Sequence, residues 1–205
     1  MPGRKPLPKN VEYMTDAAAA RAAGYRACLR CQPEASTPVT LREIETPVGR
    51  MTIGATNRAV VLADFTARPM MAAQLASLRR RIGPTSYGES PLLDRVELQM
   101  REFFAGDRHG FDLPLEMPGS GFQERVWSEL ARIPYGETIS YRELASRVGA
   151  PAASRAVGRA NGSNRLAIIV PCHRVVASSG GLGGYGGGLA AKRHLLDLER
   201  AVASS

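Results

Sequence analysis

The chain has no apolar run long enough to cross a bilayer, and its first ten residues lack the apolar core of a secretory signal. A soluble, cytoplasmic protein with no membrane partner is therefore expected. Cysteine is scarce. Cys28, Cys31 and Cys172 make an odd number, which argues against a disulfide framework and suits a reducing compartment. Acidic residues are missing altogether between Glu143 and Asp197, a stretch that holds Arg147, Arg155, Arg159, Arg165, Arg174, Lys192 and Arg193. In a chain of net charge +8 such a one-sign region favours a polyanion such as nucleic acid, with a solvated basic face as the plainer alternative. Also absent is a second cysteine pair or nearby histidine to complete Cys28-x-x-Cys31 as a tetrahedral metal site, so neither a metal nor a cofactor is expected. Nothing demands an oligomer, and a monomer is expected.

What is present divides the 205 residues into three parts. Residues 1–38 mix proline, alanine and basic residues with little periodicity beyond an alanine-rich stretch, Ala17 to Ala23, and read as a tail. Residues 39–115 read as an α/β domain. Strands over Leu41 to Glu45, Arg50 to Ala55 and Ala59 to Phe65 form a small antiparallel sheet, and helices follow over Met70 to Ile82 and from Pro91 behind an N-cap at Ser90. No catalytic constellation shows in this part. The prolines and glycines of Leu113 to Gly121 read as a linker into a mostly helical domain, residues 119–205.

That last domain carries the informative patterns. Ser120 with Gln123, and Ser140 with Glu143, have the spacing of capping boxes. A helix from Tyr141 to Val148, a turn at Gly149, Ala150 and Pro151, and a helix from Ala152 to about Asn161 form a helix-turn-helix, winged-helix-like unit. Its second helix is the one that meets DNA in such units, through Ala153, Ser154, Arg155 and Arg159. With few long polar side chains to read base edges, little sequence preference is expected.

Leu166 to Val170 is a short apolar run rich in β-branched residues and reads as a buried strand stopped by Pro171. Cys172 and His173 follow it. On a regular strand they would face opposite ways, so they could share a proton only if the backbone turns sharply or a water or third group links them. A glycine-rich loop, Ser178 to Gly188 around Tyr185, has the composition of a backbone that approaches a ligand closely. The final helix, from Leu189 to Ala201, brings Glu199, the nearest carboxylate able to orient His173.

Taken in this order, Ile133-Pro-Tyr-Gly-Glu-Thr138, Ser154-Arg-Ala-Val-Gly158, Ile169-Val-Pro-Cys-His-Arg-Val-Val176 and Leu195-Leu196 to Glu199 resemble the methylated-DNA protein-cysteine methyltransferases, the 6-O-alkylguanine-DNA alkyltransferases. The resemblance implies direct-reversal repair of duplex DNA: an alkylated guanine, or a 4-O-alkylthymine, is flipped into a pocket and its alkyl group passes irreversibly to Cys172, once per molecule. It further implies that His173 takes the thiol proton through water, that Glu199 orients the imidazole, and that Tyr141 shares a proton with the departing guanine. Arg155 would fill the gap in the base stack, and Asn164 would hold the turn that places Cys172. The carbonyls of Cys172 and Val175, with Tyr185 and Gly186, would meet the base.

Two departures accompany the resemblance. Some relatives carry serine where this chain has Gly186, which implies altered tolerance of bulky alkyl groups. Gly24 to Pro33 resembles the end of the Ada zinc-binding domain without that domain's earlier cysteine pair, so phosphotriester repair is not expected of this chain. Three rivals stand beside this reading. A lesion-binding alkyltransferase-like sensor would not need Cys172 with His173 and Glu199. A helix-turn-helix regulator would need more base-reading side chains, and a cysteine hydrolase would leave the recognition helix without a role.

Overall fold

A computed structural model describes residues 37–203; the tail, with the expected helix over Ala17 to Ala23 and the Cys28/Cys31 pair, lies outside the described residues apart from its last two positions. β1 (Val39–Ile44), β2 (Met51–Ala55) and β3 (Val60–Phe65) pair antiparallel in succession, Ile44 opposite Met51 and Met51 opposite Phe65. The sheet is not purely antiparallel. After α1 (Met71–Arg81), a short β4 (Thr85–Tyr87) adds to the free edge of β1 in parallel, giving the order β3-β2-β1-β4. Three residues without marked alternation left no sequence signal for it.

The sheet is covered on both faces. Val39, Leu41, Val61 and Leu62 bury against Met71 and Leu78 of α1. Met51, Ile53, Ala63 and Phe65 bury against Leu93, Val96, Met100 and Phe103 of α2 (Pro91–Ala105) and against the chain beyond it. β2 and β3 are consequently buried along their whole length. α2 begins with Pro91 behind an extended Ser90 and ends at Gly106, whose φ of +83° suits glycine. The expected linker is ordered against the sheet: Val60 N donates to Pro114 O at 2.8 Å and Glu116 N to Val60 O at 3.0 Å.

α3 (Gly121–Leu130) opens with the full reciprocal capping box of Ser120 and Gln123. β5 (Ile139–Ser140) leads into α4 (Tyr141–Arg147), where the Ser140 hydroxyl accepts from Glu143 N at 3.0 Å. Only that half of the second box forms, because the Glu143 carboxylate turns outward to Arg147 at 2.6 Å. α5 (Ser154–Gly162) starts two residues later than expected, since Ala150 to Ala153 closes a turn with Ala153 N on Ala150 O. The chain finishes with a short 3-10 turn at Cys172–Arg174, β6 (Val175–Val176) parallel to β5, and α6 (Gly188–Ala203). One apolar core runs from Met51 and Phe103 through Trp127 and Leu144 to Val175 and Leu195, so the sheet and the helix-turn-helix share an interior. Among the described residues no helix is long and apolar enough to cross a membrane.

Candidate active site

The expected strand over Leu166 to Val170 is instead a turn. Only Leu166 bridges to the sheet, with Ala63 N donating to Arg165 O and Ala167 N donating to Ala63 O. β-branched residues in that run marked burial, not an extended backbone. The turn is held from inside by Asn164, which is 1 % exposed. Its Nδ2 donates to Val170 O at 2.8 Å and to Leu166 O at 3.5 Å, and its Oδ1 accepts from Leu166 N at 2.9 Å. Buried backbone groups that a strand partner would satisfy are satisfied by this side chain together with turn bonds from Val170 N to Leu166 O and from Cys172 N to Val170 O. Ile168, buried in the same turn, sits at φ +71°, unfavourable for a β-branched residue by about 1–3 kcal/mol and tolerated because its neighbours are fixed.

The turn delivers Cys172 onto the 3-10 segment, with Cys172 N donating to Val170 O at 2.7 Å. Consecutive side chains there diverge by about a third of a turn, so Cys172 and His173 are not forced to opposite faces. Asn161, from the buried side of α5, reaches the Cys172 carbonyl at 3.4 Å. The thiol is buried, and burial pushes it up to about 11 against a hydrogen bond from Asn164.

Behind the cysteine lies a closed set of charges. α6 buries Lys192, Leu195, Leu196 and Glu199, a three- and four-residue spacing that puts one charged group at each end of an apolar stripe. Glu199 accepts from His173 Nε2 at 2.8 Å, from Arg174 Nε at 2.8 Å and Nη2 at 2.9 Å, and from Gly136 N at 3.1 Å. Burial works to raise its carboxyl, but the bonds from His173 and Arg174 win and hold it at about 2. An ionised carboxylate accepts only, so the Nε2 of His173 carries the proton and Nδ1 is left as the acceptor. Nδ1 is buried and has no protein partner among the described residues. Burial also keeps the imidazole below its ordinary value of 6.5 despite Glu199, so it rests neutral. The resting pair is thus thiol and neutral imidazole, with a vacant lone pair on the ring.

Arg174 is the member the sequence reading left unassigned. It belongs to the basic stretch of the sequence, yet it is buried, and its Nη1 also donates to Ile133 O at 2.6 Å. Lys192 is likewise internal, its Nζ donating to Val175 O at 2.5 Å and to Leu182 O, which ties β6 to the glycine-rich loop. Burial lowers it to about 8. Arg165 is buried as well. Three of the seven positive charges expected to face a polyanion therefore serve the interior, and Arg147, Arg155, Arg159 and Arg193 are the exposed ones.

A cavity of about 390 Å³ opens onto Cys172. Tyr141, Asn161, Gly158, Tyr185 and Gly186 line it together with Asp64, Phe65, Arg68 and Met70 from the α/β part, where no site residue was expected. Tyr141, at the start of α4, packs beside Gly183; burial raises its hydroxyl. The Tyr185 ring stands edge-on to Phe65 at 5.6 Å and to His173 at 6.4 Å. A Cβ on Gly187 would strike the Phe65 ring, which explains glycine there. Ala153 and Ser154 lie half-buried at the start of α5, while Arg155 and Arg159 project from its exposed face, one turn apart and opposite Val157 and Ala160. The Val175 carbonyl is already taken by Lys192, though each carbonyl oxygen has a second lone pair.

Fold and site together define a helix-turn-helix protein whose buried cysteine, followed by a hydrogen-bonded His-Glu-Arg cluster, forms the wall of a cavity beside the second helix. Residues 121–201 match the family model described as "6-O-methylguanine DNA methyltransferase, DNA binding domain". A methylated-DNA--protein-cysteine methyltransferase of Mycolicibacterium paratuberculosis is 43% identical over 167 residues, 79% of this chain and 93% of that protein. One from Mycobacterium bovis is 57% identical over 105 residues, which span 51% of this chain and 64% of that relative. The crystal structure of Mycobacterium tuberculosis O6-methylguanine methyltransferase aligns with a TM-score of 0.69 and 40% identity over 80% of this chain and 93% of its own. A second structure from that organism, titled as a complex with DNA, gives 0.68 and 39% over 80% and 94%. The chain belongs to the methylated-DNA--protein-cysteine methyltransferase family.

Residues 2–34 match the family model described as "Metal binding domain of Ada". That segment holds Cys28 and Cys31 and no histidine, and the chain's other cysteine is Cys172. Two thiolates fall short of a tetrahedral metal set, so the residues present do not fit the zinc site that this match implies. Among the described residues no cluster of three or more His, Cys, Asp or Glu side chains could hold a metal ion.

Proposed function

We propose that this protein repairs 6-O-alkylguanine, and 4-O-alkylthymine, in duplex DNA by moving the alkyl group irreversibly onto Cys172. The observation that carries the reading is a buried thiol on the wall of a cavity flanked by the second helix of a helix-turn-helix, next in sequence to a neutral imidazole whose Nδ1 has no protein partner among the described residues. A related protein of known structure is described as bound to DNA, which supports the same partner here.

In this reading the damaged base leaves the stack to enter the cavity, since the 6-oxygen of a stacked guanine cannot meet a thiol in line with the bond to be broken. Arg155, exposed at the start of α5, fills the gap, and Ala153, Ser154 and Arg159 lie along the phosphates. Cys172 Sγ attacks the alkyl carbon while its proton passes, through a water, to His173 Nδ1. The bond from carbon to the guanine oxygen breaks and its electron pair stays with guanine, where a proton shared from the Tyr141 hydroxyl offsets the charge. Glu199 and Arg174 act through His173: the carboxylate stabilises the imidazolium as it forms. Asn164 is a positioning residue that fixes the cysteine turn, and Tyr185, Gly186 and the Val175 carbonyl border the base. The product is a thioether with no hydrolysable bond, so each molecule reacts once.

Intact-mass and peptide-mass measurement after incubation with duplex DNA carrying one 6-O-methylguanine tests this directly. A single added methyl on the peptide containing Cys172, absent from Cys172→Ser, is the expected result. Binding of the lesion with no added methyl would replace transfer by lesion sensing.

A further inference from the structure

We propose that Arg68, in the α/β part, is a specificity-determining residue of the cavity: it fixes the glycine-rich loop over Cys172 and limits the size of the alkyl group admitted. This rests on the alkyl transfer proposed above.

Arg68 lies one turn beyond the end of β3 and is nearly buried, its side chain 8 % exposed. Its Nη1 meets Asp64 Oδ2 at 2.5 Å, and Asp64 is itself fixed by Phe65 N at 2.9 Å and Gln74 Nε2 at 2.7 Å. The same guanidinium donates to Gly162 O and, at 3.3 Å, to Asn164 O. It therefore sits on the carbonyl end of α5, where a cation is favourable, and reaches the residue whose side chain shapes the cysteine turn.

The other face of the guanidinium lies against Gly186. A Cβ at that position would fall 2.8 Å from Arg68 Cζ, 2.9 Å from Nε and 3.0 Å from Nη1, closer than real Cβ contacts. A flexible arginine would swing away, but this one would have to leave Asp64 and two carbonyls. Residue 186 is a glycine because Arg68 occupies the space its side chain would take. Both residues line the cavity that Cys172 opens onto, so the guanidinium is a wall of the alkyl pocket. An ion pair that merely ties the two halves of the protein together would not require this glycine.

The test is a double-mutant cycle on single-turnover rates with 6-O-methylguanine and 6-O-benzylguanine in duplex DNA. Asp64→Asn with Arg68→Met removes the guanidinium without leaving a lone buried carboxylate. Gly186→Ala is made in the parent and in that background. Gly186→Ala in the parent should slow methyl transfer on the order of tenfold, and in the altered background by less than about threefold. The paired change should also raise the benzyl-to-methyl rate ratio on the order of tenfold. Equal costs of Gly186→Ala in both backgrounds, or an unchanged ratio, would overturn the proposal. Should the paired variant not fold, Arg68→Lys keeps the charge and loses the planar fork, and it should still relieve part of the Gly186→Ala cost. If the parent transfers no alkyl group, it is the proposed function that fails. The 68–186 contact is then read from the same cycle in urea unfolding, where additive effects would reject it.

Discussion

Replacing His173 by Gln keeps an N–H for Glu199 and leaves Arg174 paired, but removes the base. Cys172 ionises at about 11, so on its own about one thiol in ten thousand is thiolate at pH 7. His173 is neutral above a pKa held below 6.5, with Nδ1 free to take the proton. Between those two values the reactive form, thiol with neutral imidazole, is the dominant one. Transfer by the parent should therefore be flat from about pH 7 to about pH 9. In His173→Gln the reaction must draw on free thiolate, so its rate should rise about tenfold per pH unit over that range. At pH 7 it should fall below the parent by about a hundredfold to ten-thousandfold, the ordinary contribution of a general base. The assay is single-turnover transfer from duplex 6-O-methylguanine at saturating protein, with binding measured separately. A variant as fast as the parent at pH 7, or one with the parent's flat profile, would refute the relay. Glu199→Gln is a poorer probe because it strands Arg174, which is buried, and destabilises the fold by roughly 3–5 kcal/mol as well.

Arg155→Ala should slow transfer from duplex DNA more than from the free alkylated base, because extrusion is needed only in the duplex; equal loss on both would remove its role in the base stack. Tyr141→Phe should lower the transfer rate on the order of tenfold with lesion binding within about twofold, measured by single turnover and titration; an unchanged rate would exclude it as proton donor. Asn164→Ala leaves Leu166 N unpaired and removes one of the two bonds on Val170 O, and should cost about 1–3 kcal/mol in urea unfolding, while a loss under about 0.5 kcal/mol would show that the turn holds itself. Glu199 is depressed from an ordinary 4.5 to about 2, so its contribution is whole above about pH 4.5 and is lost as pH falls toward 2. That contribution is on the order of 3 kcal/mol, and stability measured from pH 6 downward should drop less steeply in Glu199→Gln than in the parent.

What the sequence disclosed depended on whether a feature is local. The Ser120 and Gln123 box and Pro91 at the start of α2 are set by a few neighbouring residues, and they stand where spacing put them, whereas the turn before α5 runs two residues longer. His173, next in sequence to Cys172, meets Glu199 across the core at 2.8 Å. The apolar run before the cysteine misled because hydrophobicity reports burial, and a turn satisfied by Asn164 is as dry as a strand. Charge misled for the same reason: Arg174 and Lys192 have interior partners that no count along the chain could reveal. Arg68 was invisible, since its partners Asp64, Gly162 and Gly186 come from three separate segments and form no motif.

Burial of the cysteine looks at first like an obstacle to its chemistry. A thiol at about 11 is almost wholly protonated in the free protein and is a poor nucleophile toward stray electrophiles and oxidants. In the single-turnover mechanism proposed above, any such side reaction would end the molecule's working life. The same low-dielectric surroundings strengthen the charge on Glu199 that an imidazolium would feel, because that carboxylate is buried and held ionised by Arg174. In the proposed mechanism, transfer occurs only when an alkyl carbon is presented in line with Sγ and the proton can move to Nδ1 in the same step. A surface cysteine of ordinary acidity would react sooner with everything; in the proposed mechanism this one waits for a base inside the cavity.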